Sequence, residues 1–410
     1  MSSESLALRD LPYLTADLPG IGGVIKRYDE DFLVEEIPLY PPCGEGTHIY
    51  LFLEKRGLTT HAAIRELAGK LRRNPRDFGY AGLKDAHGVT RQMISIEHAT
   101  PEDTASLSFS RIRILSVDRH TNKIKLGHLS GNRFDLRVRD TIQAPLEAGR
   151  AIVDRLASRG VPNYFGSQRF GTRGDNAEIG RAVLCEDYGR AIAFMLGKPT
   201  EVDRGAARKA RELFDTGDIA GAARAWSGKF PQTARICRAF EAFDGDAAKT
   251  WRSVDRSMRT LYLSAVQSDL FNRVVAKRLE SLDKVMVGDV AWKHRNGACF
   301  GVEDAAAEQP RCDVFEISPS GPLYGRKMKA ACGVPGEIET AILDASGLTM
   351  ERLRPWSGKG LSGARRPLRV PLGDPEVGFA EDEQGSFFRV SFQLPPGSYA
   401  TAVTRELCKP

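Results

Sequence analysis

From Gly23 to Glu36, short apolar runs on either side of Asp29-Glu30-Asp31 predict two short extended pieces around an acidic turn. His48 to Leu53 predicts a third β-rich run. Thr59 and Thr60 then offer an N-cap, and Ala63, Ile64, Leu67, Ala68 and Leu71 recur at helical spacing, so an amphipathic helix ending in Arg72-Arg73 is expected. Met93 to Ile96, Arg111 to Val117, Asn122 to Leu129 and Arg133 to Arg139 predict strands. In the last of these, Phe134, Leu136 and Val138 alternate with Arg133, Asp135, Arg137 and Arg139, giving one apolar and one largely cationic face. With a helix over Pro145 to Arg159, these elements predict an α+β unit with a basic sheet surface.

From Asp175 to Leu279 the texture changes to successive helices rich in Ala, Arg and Glu, and Leu270, Phe271, Val274, Val275 and Leu279 mark a long one beginning near Leu261. A less regular region follows, with strand signals at Val285 to Val290 and Val314 to Ile317, before β pattern returns from Phe387 to Leu394. Ser357 to Ala364 reads as a linker. Strands, then helices, then a strand imply an α+β domain interrupted by a mostly helical insertion.

A chain of 410 residues has room for two such parts. No run nears the ~20 apolar residues of a membrane span, and the N-terminus lacks a secretory pattern, so a cytoplasmic protein with no membrane partner is expected. The seven cysteines are scattered without a Cys-x-x-Cys pair, which argues against a disulfide framework or a zinc site. No metal is expected. No phosphate-cradling loop, dinucleotide fingerprint or Gly-x-Ser-x-Gly elbow occurs, so no cofactor is expected either. The net charge of +6 matters through its distribution. Basic residues cluster at Arg72-Arg73-Arg76, across Arg111 to Arg139, at Arg252-Arg256-Arg259 and at Arg365-Arg366-Arg369, the footprint of a phosphate-backbone ligand.

Two segments carry candidate chemistry. In Tyr80 to Gln92, Asp85 is framed by two small residues (Ala81, Gly82), by Lys84 and by His87, as a reactive carboxylate would be. Its bland alternative is a turn former. Val161 to Gly171 packs three aromatics, an amide pair, a guanidinium and two glycines into one connection. Asn163, Tyr164, Phe165, Gln168 and Arg169 there are candidate RNA contacts, since aromatic and guanidinium faces stack on unpaired bases and amides read base edges. The alternative is a hinge plug with its rings in the core.

Five separated motifs, in order, resemble the TruD family of pseudouridine synthases. They are Ala81-Gly-Leu-Lys-Asp85 with Val89-Thr90 and Gln92; Gly131-Asn-Arg-Phe134; Asn163 to Gly171; Ser264 to Asn272; and Leu394 to Thr401 with Arg405-Glu-Leu407. The resemblance implies a permuted pseudouridine-synthase catalytic domain with a mixed or antiparallel sheet, formed by residues 1–159 and 363–410. A mainly helical TRUD insertion domain would occupy residues 160–362. It implies a cofactor-free isomerase of uridine, at position 13 of transfer RNA, acting as a monomer. The alternative is an RNA-binding or RNA-folding protein that keeps the scaffold without catalysis. By the same resemblance the catalytic carboxylate falls on Asp85, and Lys26, Phe32, Asn132 and Phe134 bind the substrate. The chemistry breaks the bond from N1 to C1′, turns the base and rejoins it through C5. One carboxylate can serve as nucleophile toward C1′ or C6, or as base at the ribose.

Overall fold

A computed structural model describes residues 10–84, 86–105, 107–142, 145–356 and 361–409, and its fold is α+β. The chain divides into two compact units. One comprises Tyr13–Val161 and Val370–Pro410; the other comprises Pro162–Arg369 with Met1–Pro12.

The first unit is built on a mixed sheet of nine strands among the described residues. Seven come from the N-terminal part: β1 (Gly22–Val24), β2 (Phe32–Pro38), β3 (His48–Arg56), β4 (Phe78–Tyr80), β5 (Val89–Glu97), β6 (Ile112–His120) and β7 (Leu129–Thr141). The other two, Gly373–Asp382 and Gly385–Leu394, come from the far end of the chain. The main order is Gly373–Asp382, Gly385–Leu394, β7, β2, β5, β3, β6, with β1 also on β7 and β4 also on β5. Among the described residues, the central β2 and β5 pair is the only parallel one in this sheet.

The helix Thr60–Leu71 forms where expected. Thr59 caps it by accepting from the Ala62 N–H at 3.1 Å, and Arg72 ends it in the left-handed region at φ 51°. Its Ala63, Ile64, Leu67 and Ala68 face pack with Ile94 and Ile96 of β5. Pro145–Arg159 packs on the same sheet through Gly149, where an added Cβ would come within 2.4 Å of the Phe388 ring.

The second unit is helical over residues 176–277, and a core of apolar side chains from these helices includes Val183, Trp226, Trp251 and Leu263. The helix Arg256–Lys277 starts earlier than Leu261. At Gly180 a Cβ would come within 2.2 Å of the Tyr262 carbonyl, so this glycine lets two helices approach closely. A four-stranded antiparallel sheet follows, in the order Cys299–Gly301, Val290–Lys293, Ile317–Leu323, Ala364–Pro367. The two units divide at 161/162 and 369/370. Ala364–Pro367 falls in the second unit, where it pairs with Ile317–Leu323.

Three local expectations differ. The expected strand Asn122 to Leu129 is a loop up to His128, with only Leu129 extended as the start of β7, because Gly127 turns the chain at φ 90° and its N–H bonds the Ala81 carbonyl at 2.9 Å. Val285 to Val290 reaches extended pairing only at Val290, and Val314 follows a helix while its neighbouring strand begins at Ile317. Residues 357–360 of the expected linker lie outside the described residues. Among the described residues no helix is long and apolar enough to cross a membrane.

Candidate active site

Strand register decides which side chains share a face. On β2, Phe32, Val34 and Glu36 point the same way, and all three are buried. Antiparallel pairing sets Leu136 opposite Phe32, Phe134 opposite Val34 and Asn132 opposite Glu36. Strand Gly385–Leu394 extends the row, with Phe392 opposite Phe134 and Leu394 opposite Asn132. Phe134 stacks on Phe392 at 5.3 Å between centroids and meets Phe32 edge-on at 6.3 Å. Phe32 and Phe134 are 7% and 6% exposed, so their rings form the apolar floor of this region.

Glu36 is the exception on that face, a carboxylate 2% exposed. Lys84 answers it. The Lys84 ammonium stands 3.0 Å from Glu36 Oε2 and donates to Asn132 Oδ1 at 2.6 Å. Burial nevertheless dominates, pushing the Glu36 carboxyl above its ordinary range against the pull of Lys84. With its oxygen occupied by Lys84, Asn132 keeps its amide N–H groups as donors on a half-buried side chain.

The loop that carries Asp85 joins β4 to β5. Asp85 itself lies outside the described residues, but both sides of the loop are fixed. On one side the Lys84 N–H donates to Thr60 Oγ1 at 2.9 Å, Thr60 Oγ1 donates to Gln92 Oε1 at 2.9 Å, and Gln92 Nε2 donates to the Gly82 carbonyl at 3.3 Å. Thr60 is the first residue of the helix Thr60–Leu71, so the chain entering position 85 is bonded to the positive end of a helix. On the other side, the Gly88 N–H donates to Asp29 Oδ1 at 3.1 Å. Gly88 sits at φ 123° with space for no side chain, since a Cβ would fall 2.5 Å from the Phe32 carbonyl oxygen.

Lys26 occupies the turn after β1 in the left-handed region, at φ 59°. It is exposed, and its ammonium stands 3.9 Å from the Phe32 ring centroid. The substrate-binding candidates Lys26, Phe32, Asn132 and Phe134 are thus connected through the Phe32 ring and the paired strands, and Lys84 joins them to the Asp85 loop.

The basic face expected on β7 is largely neutralised. Arg139 is 2% exposed and lies 2.7 Å from both Asp31 and Asp382, Arg137 pairs with Asp382 at 2.7 Å, and Asp135 is taken by Arg389 at 2.6 Å. The Arg139 guanidinium holds the Asp382 carboxyl well below the ordinary carboxylate range.

In the second unit the segment after Val161 is spent mostly on its own packing. Asn163 donates to the Pro367 carbonyl at 2.9 Å and accepts from Arg366, Tyr164 is 3% exposed, and the Phe165 backbone exchanges bonds of 2.8 and 3.1 Å with the Asn272 amide. The Phe165 ring lies under Arg366 at 4.3 Å and Arg169 at 5.3 Å. Gln168 is exposed and Arg169 half-buried, so these two present the segment's polar groups nearest the surface.

Glu36 and Thr60 escaped the sequence reading as site residues. A signal for Glu36 was available: it falls at the third same-face position after Phe32 and Val34, an acid on the apolar side of a strand. Among the described residues no group of three or more His, Cys, Asp or Glu side chains is placed to hold a metal ion, and all seven cysteines are unpaired.

Comparison with known proteins gives a consistent result. The profile of the family described as tRNA pseudouridine synthase D (TruD) matches residues 9–407. A protein named tRNA pseudouridine synthase D from Geobacter sulfurreducens is 48% identical over 400 residues, covering 98% of this chain and 97% of its own. One of the same name from Anaeromyxobacter dehalogenans is 38% identical over 404 residues, with 98% and 97% covered. Among solved structures, one described as a candidate tRNA pseudouridine synthase D (TruD) from Methanosarcina mazei superimposes with a TM-score of 0.85 at 26% identity, covering 97% of this chain and 96% of that one.

Proposed function

The chain belongs to the tRNA pseudouridine synthase D (TruD) family, and on that premise we propose that it isomerises the uridine at position 13 of transfer RNA through the carboxylate of Asp85. Membership makes it an RNA pseudouridine synthase; the position and the residue roles are the reading advanced here. The observation that carries the residue roles is the double anchoring of the Asp85 loop beside the row of Phe32, Asn132 and Phe134.

The reaction exchanges an N-glycosidic for a C-glycosidic bond within one nucleotide, so it needs no net oxidant or external energy. A target inside folded RNA must first leave its stack, at a cost of a few kcal/mol. Asp85 then acts at C1′ or C6 as nucleophile, or at the ribose as base. The helix end bonded at Lys84 and the ammonium of Lys26 both favour an ionised carboxylate at this loop. Lys26 also offsets charge that develops on the detached uracil. The free N–H groups of Asn132 suit a ribose or phosphate oxygen. Phe32 and Phe134 give the floor on which the base turns. The remaining RNA contacts of the segment after Val161 fall to Gln168 and Arg169. On this reading the protein works as a monomer in the cytoplasm, where transfer RNA is used.

The test treats unmodified transfer RNA with the protein, derivatises it with carbodiimide and maps reverse-transcription stops. A new stop at position 13 is expected, and a stop elsewhere would overturn the position. Conversion with Asp85→Asn at the wild-type rate would overturn the role of the carboxylate.

A further inference from the structure

The second unit carries a cleft of about 850 Å³ that includes none of the residues proposed for catalysis. Arg252, Arg256, Arg259 and Arg352 line it, against two acids, Glu186 and Glu351. The local sequence explains the convergence. Arg252 lies near the end of the helix Ala247–Ser253, and after a short break Arg256 and Arg259 fall three apart in the first turn of Arg256–Lys277, on neighbouring positions of one face.

The buried arginines Arg181, Arg211, Arg278 and Arg365 of this unit are paired with acids, with Asp269, Asp203, Asp289 and Glu339 in turn. Among the described residues the four cleft arginines form no ion pair. Their placement also opposes the helix. The amino end of a helix carries about half a positive charge and favours acids, yet the first turn of Arg256–Lys277 contains no acid. The N-cap Asp255 makes no side-chain capping bond and instead pairs with Arg235 at 3.0 Å.

Trp251, only 2% exposed, is a further lining residue, and it belongs to the apolar core of the unit. Guanidiniums gathered in one cleft without ion pairs, at a helix amino end that favours negative charge, together call for an anion with several oxygens. Tyr188 adds a half-buried ring beside the cations, which suits a nucleotide better than a bare phosphate.

We infer that this cleft is a second RNA-binding site, taking two or three consecutive phosphates and a nucleoside of the transfer RNA other than the one isomerised. The inference rests on the reading that the protein acts on RNA, and it adds where the rest of the substrate is gripped.

The experiment uses the full chain and the triple variant Arg252→Gln, Arg256→Gln, Arg259→Gln, with binding to unmodified transfer RNA followed across a salt series. Losing three phosphate contacts lowers the slope of log affinity against log salt by roughly two and weakens binding by about tenfold or more near 0.15 M salt. The single-turnover rate at saturating RNA stays at the wild-type value. The corresponding triple Lys variant keeps the salt slope, and thermal melting checks folding; Arg256→Gln with Arg352→Gln serves if the triple variant is unfolded. Wild-type affinity and slope in a folded glutamine variant would overturn the site while leaving the synthase reading intact. Weakened RNA binding by the variant, beside a wild type that binds but never isomerises RNA, would keep the site and overturn the activity. Inorganic phosphate and uridine 5′-monophosphate are run as competitors. Displacement of either by the triple substitution with unchanged RNA affinity would assign the cleft to small anions and overturn the proposal.

Discussion

Charge is used in opposite ways at two places in the molecule, the strands β2 and β7 of the first unit and the arginine-lined cleft of the second. Around β2 and β7, cations are locked to partners: Lys84 between Glu36 and Asn132, Arg139 between Asp31 and Asp382. Among the described residues, the arginines of the cleft at the start of Arg256–Lys277 have no such partners. Locked charges fix geometry, and the geometry they fix is that of the strands and loop beside Asp85. Unlocked charges gathered in an open cleft are suited to an incoming polyanion. A net charge of +6 distinguishes neither role; the pairing of each cation does.

If this division is right, the largest effect belongs to chemistry. Asp85→Asn is expected to lower the single-turnover rate by about 10²–10⁴-fold, with RNA affinity held near wild type. Next comes the price of breaking a locked pair. Lys84→Met strands Glu36 among apolar neighbours and is expected to cost about 3–5 kcal/mol in denaturant unfolding, most of it recovered when Glu36→Gln is added.

Two groups shifted by burial, Glu36 in the first unit and His294 in the second, should also respond to pH with opposite sign. Burial raises the Glu36 carboxyl, so the folded state holds its proton more tightly; the resulting stability is present below the ordinary value of 4.5 and lost as pH rises through the raised one. Glu36→Gln therefore gains on the wild type as pH climbs from about 4.5 toward neutrality. His294, half-buried against Ser318 with Arg369 nearby, is lowered to about 4 by burial first and by Arg369 second. Its contribution is present above the ordinary 6.5 and lost as pH falls toward 4, so His294→Gln flattens the acid-side loss. Amide hydrogen exchange reads each unit separately and checks both signs. The smallest effect tests the helix argument: Arg256→Glu should stabilise the second unit by about 0.3–1 kcal/mol while weakening RNA binding.

Much of this was legible in the chain. Periodicity located the helix Thr60–Leu71 and the apolar side of β7, because both depend on local spacing. Asp85, Lys26, Asn132 and Phe134 were singled out by motif, and register then showed how Asn132, Phe134 and Phe32 share a face. Pairing across long separations was hidden. Arg139 read as a surface cation because its partner Asp382 is distant in sequence and Asp31 sits on another element. Asn163, Tyr164 and Phe165 likewise read as ligand groups until their hydrogen-bond partners at Pro367 and Asn272 and their burial were visible. The loop Asn122 to His128 carried strand-like residues, but one left-handed glycine and its bond to Ala81 decide the outcome. The cluster Arg252, Arg256, Arg259 was visible as charge, while the cleft it shares with Arg352 was not.

The most direct test is the single-turnover rate of pseudouridine formation as a function of transfer RNA concentration, measured side by side for Asp85→Asn and for the Arg252, Arg256, Arg259 triple glutamine variant. The account predicts that Asp85→Asn keeps the half-saturation concentration and loses the plateau rate, whereas the triple variant keeps the plateau and needs about tenfold or more RNA to reach it. A triple variant that loses the plateau, or an Asp85→Asn protein that retains it, would contradict the division of chemistry and grip between the two units.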